Sequence, residues 1–308
     1  MESIIFTGNY AMRAIFYREI YQAAEERQWF SSFPSEDGST IVKMTYSEPF
    51  NVRDIGFFGP DGKERAVIAG RHVVYITRMS SDGYLAISGG IVGKDNTRMT
   101  MPAGGFYLSL YNPFGQLQWE IKTDDPISDF AISKKGHRTI VGCIGYRPGQ
   151  REFTDSMLAL NVKGQAFNKI QFVKGLRVQW LGFVGADKFV IATTGSDVRA
   201  FAPDDMHELW RTKIDIAGMA SGGVALSSDL SRMAVLDAVV NHDTNEISWR
   251  VALLDAKNGK LLERKDLPVH EYLQPNQLRY DDKEKAFILK TKQARVKITS
   301  DGEVEKLQ

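Results

Sequence analysis

From about residue 41 onward, apolar residues come in short runs rather than in a helical stripe. The runs are rich in Val, Ile, Phe, Tyr and Leu, and clusters of Gly, Asp, Asn and Ser separate them. Short apolar runs divided by such residues are typical of strands and turns. This part of the chain is therefore predicted to be all-β.

One hairpin pattern recurs along this region. The stretch PISDFAISKKGHRTIVGC has two apolar runs around the polar break Ser133–Gly136. The same order of apolar run, polar break and apolar run is found in VVYITRMSSDGYLAISGG (73–90), VQWLGFVGADKFVIATTG (178–195), GVALSSDLSRMAVLD (223–237) and QLRYDDKEKAFILK (277–290). A weaker copy, VRDIGFFGPDGKERAVIAG, begins at Val52. Each copy is predicted to form a β-hairpin.

A second hairpin, with a more polar last strand, follows each clear copy of the first. Its copies are YLSLYNPFGQLQWEI (107–121), LALNVKGQAFNKI (158–170), VRAFAPDDMHELWRTKI (198–214), VALLDAKNGKLLERK (251–265) and VKITSDGEVEKL (296–307). Two hairpins make a four-stranded sheet, and a repeat of roughly 40 to 55 residues is the β-propeller plan. We predict a single all-β propeller of about six blades: five clear ones from residue 73 to 308, and a degenerate sixth within 41–72.

The N-terminal segment differs from the rest of the chain. Between residues 10 and 28, apolar residues such as Ile15, Ile20 and Tyr21 fall close to a helical stripe. Ser31–Thr40, SSFPSEDGST, has the composition of a loop. The predicted organisation is an N-terminal helical extension at 1–40, packed on the domain or docking a partner, and a propeller at 41–308.

The stretch LLDAKNGKLLER resembles the LDAxTGKxxW core of quinoprotein-type propeller repeats. LYNPFGQLQWEI and FAPDDMHELWRTKI resemble it more loosely, with Trp119 and Trp210 at the tryptophan position, whereas Leu262-Glu263 departs from it. WD-type repeats share the plan, but their Gly-His and Trp-Asp dipeptides are absent. The resemblance implies a fold rather than an activity.

Charge and cysteine content narrow the function classes. The 39 Lys and Arg nearly balance the 38 Asp and Glu, which disfavours a nucleic-acid-binding role. The single cysteine, Cys143, rules out an intramolecular disulfide and is predicted to be a small buried residue. No apolar run is long enough to span a membrane, and Arg13 and Arg18 interrupt any signal-peptide core. A cytoplasmic location is expected if Met1 is the native start, and a periplasmic or secreted one if a leader precedes it.

Catalytic signatures are sparse. Quinoprotein enzymes hold a quinone cofactor and calcium, in several members beside a disulfide of adjacent cysteines, and one cysteine cannot form that disulfide; no cofactor is predicted. The sequence also lacks the Gly-x-Ser-x-Gly motif of the hydrolase nucleophile elbow, a phosphate-binding loop motif and closely spaced pairs of metal-ligating histidines. The one local polar cluster is Asn241, His242 and Asp243. It supports an alternative hypothesis of a lactonase-like, metal-dependent hydrolase with a divalent ion at the propeller axis.

Three long connections between second and third strands give the leading hypothesis. They are 90–105, 144–155 and 238–247, and long loops on one face of a rigid scaffold are common binding sites. The first two contain residue types enriched in interface anchors: Lys94, Arg98, Tyr146, Arg147, Arg151 and Phe153. We therefore expect a non-catalytic scaffold that binds a protein or peptide partner through this face.

Overall fold

The computed structural model describes residues 29, 31–48, 51–69, 74–90, 105–145, 155–172, 178–185, 187–194, 197–214, 221–240, 247–269, 278–291 and 294–307. These residues form six four-stranded sheets, numbered here 1 to 6 in chain order. In each sheet four consecutive strands pair antiparallel in the order of the chain. The described residues contain no α-helix, and the helix predicted at 10–28 lies outside them.

The chain divides into two compact units, 1–171 and 172–308. Unit 1 holds sheets 1 to 3. Sheet 1 comprises β1 (Ser31–Pro34), β2 (Ile41–Glu48), β3 (Asn51–Phe58) and β4 (Glu64–Ala69). Sheet 2 comprises β5 (Val74–Met79), β6 (Leu85–Gly90), β7 (Phe106–Tyr111) and β8 (Leu117–Thr123). Sheet 3 comprises β9 (Ile127–Ile132), β10 (Arg138–Cys143), β11 (Ser156–Asn161) and β12 (Ala166–Gln171).

Unit 2 holds sheets 4 to 6. Sheet 4 comprises β13 (Val178–Val184), β14 (Phe189–Thr194), β15 (Asp197–Phe201) and β16 (Glu208–Lys213). Sheet 5 comprises β17 (Ser221–Leu226), β18 (Arg232–Val240), β19 (Ile247–Asp255) and β20 (Leu261–Leu267). Sheet 6 comprises β21 (Leu278–Asp281), β22 (Ala286–Lys290), β23 (Arg295–Thr299) and β24 (Val304–Leu307).

Burial follows the position of a strand within its sheet. Every residue of β6, β7 and β9 is buried, because both faces of these strands pack on neighbouring elements. The outer strands β12 and β16 are mostly exposed, apart from single residues such as the buried Trp210. The two recurring hairpins and the more polar character of the last strand are confirmed.

Sheet 1 corrects two sequence-based predictions. Residues 31–34 form β1, which pairs with β2 from Ser31↔Met44 to Pro34↔Ile41, so only the remainder of Ser31–Thr40 is a turn. A four-residue edge strand held by backbone hydrogen bonds leaves little apolar pattern in the sequence. The copy beginning at Val52 is the second hairpin of its sheet, β3 and β4, rather than the first. Sheet 1 is therefore complete, with residues 31–48 as its first hairpin.

The turn between the first and second strands is built the same way in four sheets. It opens on a serine whose hydroxyl accepts a hydrogen bond from the backbone N–H after the turn. The pairs are Ser35 with Thr40 (3.0 Å), Ser80 with Tyr84 (2.9 Å), Ser133 with Arg138 (2.8 Å) and Ser227 with Arg232 (2.9 Å). Because the side chain replaces a backbone partner, it fixes the turn locally.

Turns of this kind are also linked to the next sheet within a unit. In unit 1, the Asp37 N–H donates to the Ser81 carbonyl at 3.0 Å, and the Lys135 N–H donates to Asp82 Oδ2 at 2.8 Å. In unit 2, the Ser228 hydroxyl donates to Asp282 Oδ2 at 2.7 Å. These hydrogen bonds connect sheet 1 to 2, sheet 2 to 3 and sheet 5 to 6.

The turn between the third and fourth strands packs on a tryptophan of the preceding sheet. Gly164 lies against the ring of Trp119, and Gly259 lies against Trp210. Both glycines have a positive φ, of 73° in each case, and a Cβ at either position would collide with the indole ring. The Trp210 Nε1–H also donates to the Ala256 carbonyl at 3.0 Å. Glycine is thus required both for the turn and for the contact between sheets.

Candidate functional site

Each sheet has two different ends. The turns between its first and second strands and between its third and fourth strands lie at one end, called here the turn end. The link between its second and third strands leaves from the other, called here the connection end. The three connections predicted to be long follow this rule: 90–105 joins β6 to β7, 144–155 joins β10 to β11, and 238–247 joins β18 to β19. The third is shorter than predicted, because 238–240 and 247 belong to the paired strands β18 and β19 and leave 241–246 as the link.

The partner-binding and metal candidates lie outside the described residues. They are Lys94, Arg98, Tyr146, Arg147, Arg151 and Phe153 for the partner, and Asn241, His242 and Asp243 for a metal. What the structure describes is the base of each connection. Gly90 pairs with Phe106, Cys143 with Ser156, and Val240 with Ile247. The predicted site residues are therefore carried by paired strands, and their mutual geometry stays a prediction.

Two of these bases belong to neighbouring sheets of unit 1. Sheets 2 and 3 share a core cluster that includes Leu108 of β7 and Val141 of β10. An ion pair between Arg78 and the buried Asp129, at 2.8 Å, also joins β5 to β9. The connections 90–105 and 144–155 therefore start from two sheets that are packed and hydrogen-bonded together.

Cys143 stands at the base of the second connection and is buried, as predicted. Desolvation by burial, followed by the nearby charge of Asp125, raises the pKa of its thiol to about 12. The thiolate is the nucleophilic form of cysteine, so this group is protonated at neutral pH and unsuited to covalent catalysis. Cys143 is a packing residue.

The base of the third connection carries a charged cluster. Asp237 of β18 is fully buried, and its Oδ2 accepts hydrogen bonds from Arg250 Nη2 and Arg264 Nη2, both at 2.6 Å. Asp237 and Arg250 are cross-strand partners that flank the connection, while Arg264 is on the neighbouring β20. These ion pairs tie the two strands that carry 238–247 to the outer strand of sheet 5.

Sheet 4 has a comparable cluster beside its short connection between β14 and β15. The buried Asp197 accepts hydrogen bonds from Arg199 Nε at 3.0 Å and from Thr194 Oγ1 at 2.7 Å, and Arg211 Nη2 lies 2.6 Å away. Burial alone would raise the pKa of Asp197, but these hydrogen bonds and the charges of Arg199 and Arg211 outweigh it and lower the pKa. Asp197 is therefore ionised at neutral pH.

The two aspartate–arginine clusters were missed by sequence reasoning, although the sequence contains a signal for one of them. Asp237 and Arg250 each interrupt an otherwise apolar strand, in MAVLDAVV and ISWRVALLD. A charged residue in such a run is rarely buried unless it is paired. Because the two residues are equally far from the middle of the connection, hairpin register alone would have paired them.

Among the described residues, no group of three or more His, Cys, Asp or Glu side chains is placed to hold a metal ion. The closest His–carboxylate contact is between His207 Nδ1 and Asp205 Oδ1, at 2.6 Å, in the exposed turn between β15 and β16. None of the described segments forms a helix with the length and apolarity that a membrane crossing requires. The described residues at the bases of the connections form ion pairs and hydrogen bonds.

Comparison with known proteins gives a fold. No protein-family profile matches the chain, and no curated protein matches its sequence. The chain is similar in structure to one described as the Dos1 propeller, with a TM-score of 0.54 and 11% sequence identity. The likeness covers 89% of this chain and 71% of that one. Together with the six four-stranded antiparallel sheets, it shows that the fold is a β-propeller.

Proposed function

We propose that this propeller is a non-catalytic scaffold that binds a protein or peptide partner through its connection ends. The observation that carries the proposal is the contrast in link length at the two ends of the sheets. Links at the turn end are short and closed by their own hydrogen bonds, as at Ser80 and Ser133. The two longest links between described strands of one sheet, 91–105 and 144–155, leave from the other end, and long loops on paired, buried strands are well suited to recognition.

The residue types in the first two connections support a protein partner. Arg98, Arg147 and Arg151 have planar guanidinium groups that can donate paired hydrogen bonds. Tyr146 and Phe153 have aromatic rings that can pack against a partner. Such residues dominate the energetics of many protein interfaces. The buried thiol of Cys143, with its raised pKa, is not an activated nucleophile.

Charge reversal tests the site assignment. A partner first identified by cross-linking in the protein's own cells is titrated against the triple variant Arg98→Glu, Arg147→Glu and Arg151→Glu. We expect its affinity to fall at least about tenfold, because each reversal replaces an attractive contact with a repulsive one. Unchanged affinity would contradict the assignment.

A matched control reverses three charges at the turn end of sheet 3. Lys134, Lys135 and Lys163 are exposed and lie in its two turns. The variant Lys134→Glu, Lys135→Glu and Lys163→Glu changes the net charge by the same amount as the connection-end variant. It is expected to bind the partner with an affinity within about twofold of the wild type.

We also propose that the repeats are of the quinoprotein type. The consensus has a glycine and a tryptophan; LLDAKNGKLLER has the glycine, Gly259, and the two looser copies have the tryptophan, Trp119 or Trp210. Contacts between adjacent sheets use these two positions, with Gly164 on Trp119 and Gly259 on Trp210. A shared packing role for both consensus residues supports the relationship and says nothing of a cofactor.

A further inference from the structure

The two most exposed large apolar side chains in the described part of the chain lie at the tips of turns in neighbouring sheets. Phe114, between β7 and β8, is 59% exposed, and Val162, between β11 and β12, is 53% exposed. The other exposed large apolar residues all lie on outer strands: Leu117, Phe167, Leu209, Leu261 and Leu262. Single exposed apolar residues are ordinary, but apolar tips on two adjacent turns indicate a surface that contacts another molecule.

The corresponding turns of the other four sheets are polar and contain aspartate. They are GPDGK (59–63) in sheet 1, APDDMH (202–207) in sheet 4, DAKNGK (255–260) in sheet 5 and TSDGE (299–303) in sheet 6. The turns NPFGQ (112–116) of sheet 2 and NVKGQ (161–165) of sheet 3 contain no acidic residue. An exposed apolar tip in a turn without a carboxylate is therefore particular to sheets 2 and 3.

Asparagine closes these two turns without adding a negative charge. Asn112 Oδ1 accepts a hydrogen bond from the backbone N–H two residues further on, at 3.0 Å, and Asn161 Oδ1 does the same at 2.9 Å. Asp255 plays this part in sheet 5, with Oδ1 also 2.9 Å from the corresponding N–H. Because either residue can make such a turn, the difference between the turns is one of charge.

Sheet 3 places positive charge next to these tips. Its two turns contain Lys134, Lys135 and Lys163, which are all exposed, and no acidic residue. The acidic residues among the described positions from β9 to β12 are Asp129 and Asp155, and both are buried. Every exposed charged side chain in the described part of sheet 3 is therefore basic.

The turns of sheets 2 and 3 lie side by side at the turn end. The Lys135 N–H donates to Asp82 Oδ2 at 2.8 Å, and Gly164 lies against the ring of Trp119. Asp82 is the one acidic residue of these four turns, and its Oδ1 accepts from the Ser80 hydroxyl at 2.7 Å. Three lysines thus stand against one carboxylate that is already hydrogen-bonded within the turns, which leaves this surface positively charged.

Two charged residues of sheet 1 adjoin the same turns. The guanidinium of Arg65 lies over the Phe114 ring, 5.4 Å from its centroid. Hydrogen bonds, chiefly from the Ser39 N–H, lower the pKa of Asp37, and the nearby charge of Lys134 lowers it further. One positive and one negative charge are thereby added at the margin, so the positive charge of the lysines remains.

Exposed apolar tips beside a cluster of lysines have the chemistry of a membrane-docking surface. We propose that Phe114 and Val162 enter the headgroup region of an anionic lipid bilayer, while Lys134, Lys135 and Lys163 contact its negatively charged headgroups. Stable attachment of a peripheral protein usually combines two contributions, and apolar insertion next to a basic cluster supplies both. The inference goes beyond the proposed function and does not rest on it, because it concerns the opposite end of the sheets.

The projecting shape of the tips favours a lipid surface over a peptide or a nucleic acid. Both turns are tight, since the N–H groups of Asn112 and Asn161 donate to the carbonyls of Gln116 and Gln165 at 3.0 and 2.9 Å. Peptides dock in grooves, in pockets or along strand edges, whereas a bilayer requires only that projecting residues share one end of the sheets. An aliphatic tip such as Val162 also offers no stacking surface to a base.

The test measures co-sedimentation of the full chain with vesicles of phosphatidylcholine alone or with about a quarter phosphatidylserine. Wild-type protein is expected to bind the phosphatidylserine vesicles and not the neutral ones. The variant Lys134→Glu, Lys135→Glu and Lys163→Glu should bind at least about tenfold more weakly, because its attraction to the anionic surface becomes repulsion. Phe114→Ser with Val162→Ser keeps every charge and should also lose at least about tenfold, because the apolar contribution is removed.

Matched controls change the same kinds of residue in unit 2. Lys257→Glu, Lys260→Glu and Lys283→Glu reverse three exposed charges in turns of sheets 5 and 6 and alter the net charge equally. Leu209→Ser with Leu262→Ser removes two apolar side chains that are 41% and 38% exposed on outer strands. Both controls should change vesicle binding by less than about twofold. Thermal melts followed by circular dichroism establish that each variant is folded.

A fluorescent label reports entry of a tip into the lipid. Val162→Cys, labelled with an environment-sensitive dye, should shift its emission to shorter wavelength when anionic vesicles are added. Leu209→Cys carrying the same dye should show no shift. The native Cys143 is buried, and burial raises the pKa of its thiol to about 12, so the dye selects the introduced cysteine.

Each outcome decides the inference. Absence of wild-type binding to phosphatidylserine vesicles up to about millimolar lipid, or equal losses in the two lysine variants, overturns it. Vesicle binding without an emission shift at Val162→Cys would mean adsorption by charge alone and also overturns it. Lysine-dependent binding of hexaglutamate or of an oligothymidylate, without vesicle binding, would assign the surface to an acidic protein or a nucleic acid instead. The proposed function is judged separately, by partner binding of the variant at Arg98, Arg147 and Arg151.

Discussion

The turn end and the connection end of these sheets are built from different interactions. At the turn end, serine hydroxyls, glycines with positive φ and backbone hydrogen bonds between turns hold adjacent sheets together. At the connection end of sheets 4 and 5, buried aspartates paired with arginines support the strands from which the links leave. Under the proposed function, packing and closed turns stabilise one end of the sheets, and the long links 91–105 and 144–155 at the other end bind the partner.

Removal of the last hairpin should have the largest effect. A chain ending at Lys290 lacks β23 and β24, and with them the fully buried Val296 and Ile298. Each such side chain contributes about 1.5–3 kcal/mol, and Phe287 and Leu289 would lose the strand that covers them. We expect loss of cooperative thermal unfolding by circular dichroism. Alanine at the exposed Glu305 and Lys306 is the control and should leave the transition intact.

A substitution that adds a side chain to a closely packed turn-end glycine should have the next largest effect on the free energy of unfolding. Gly259→Ala places a Cβ against Trp210 at a φ of 73°, and the combined strain and collision should cost about 3 kcal/mol in free energy of unfolding. Gly62→Ala is the matched control, because Gly62 has a φ of 75° but no atom within 4 Å of the added carbon. It should cost about 1 kcal/mol in urea titrations. Equal losses would mean that the contact with Trp210 contributes nothing.

The contribution of Asp197, at the connection end of sheet 4, to the free energy of unfolding should depend on pH. The pKa of Asp197 is lowered in the folded protein, so its ionised form stabilises the fold above the unfolded value of about 3.9, and this contribution is lost as pH falls through the lower folded value. Urea titrations from pH 5 downward should show a shallower loss of stability for Asp197→Asn than for the wild type. Glu305→Gln, at an exposed site, should keep the wild-type slope. Parallel wild-type and Asp197→Asn curves would exclude this linkage.

A single turn serine should have a smaller effect. The Ser80 hydroxyl accepts from the Tyr84 N–H at 2.9 Å and donates to Asp82 at 2.7 Å. Ser80→Ala should lower the free energy of unfolding by about 1 kcal/mol, because the partly buried Tyr84 N–H loses its acceptor. Ser300→Ala changes an exposed serine and is expected to be neutral. A neutral Ser80→Ala would show that the turn is held by its backbone alone.

Divalent ions should have no effect at all on a scaffold. An ion that binds the folded protein stabilises it by RT ln(1 + [L]/Kd), about 2.7 kcal/mol at a hundredfold excess over Kd. Calcium, zinc and magnesium are expected to leave the thermal transition unmoved. A saturable shift that Asp243→Asn abolishes would instead support the metal-dependent hydrolase.

Much of the fold could be predicted because its repeats have local signatures. The breaks at Ser80, Ser133 and Ser227 separate pairs of apolar runs, and the observed second strands begin within one residue of Tyr84, Arg138 and Arg232. Strand β1 was not predictable in this way, since SSFP has one large apolar residue and gains its pairing from β2. The Asp237 cluster depends on Arg264, which is distant in sequence and reaches Asp237 only through the register of β19 and β20. Periodicity shows strands, whereas side-chain partners require the register of several strands at once.

Hydrogen–deuterium exchange with and without the cross-linked partner tests the central claim most directly. The account predicts slower exchange on binding in peptides that contain 90–105, 144–155 and 238–247. It predicts unchanged exchange in the turn-end peptides around Ser80–Tyr84, Ser133–Arg138 and Asn161–Gln165. Protection confined to the turn-end peptides would contradict it.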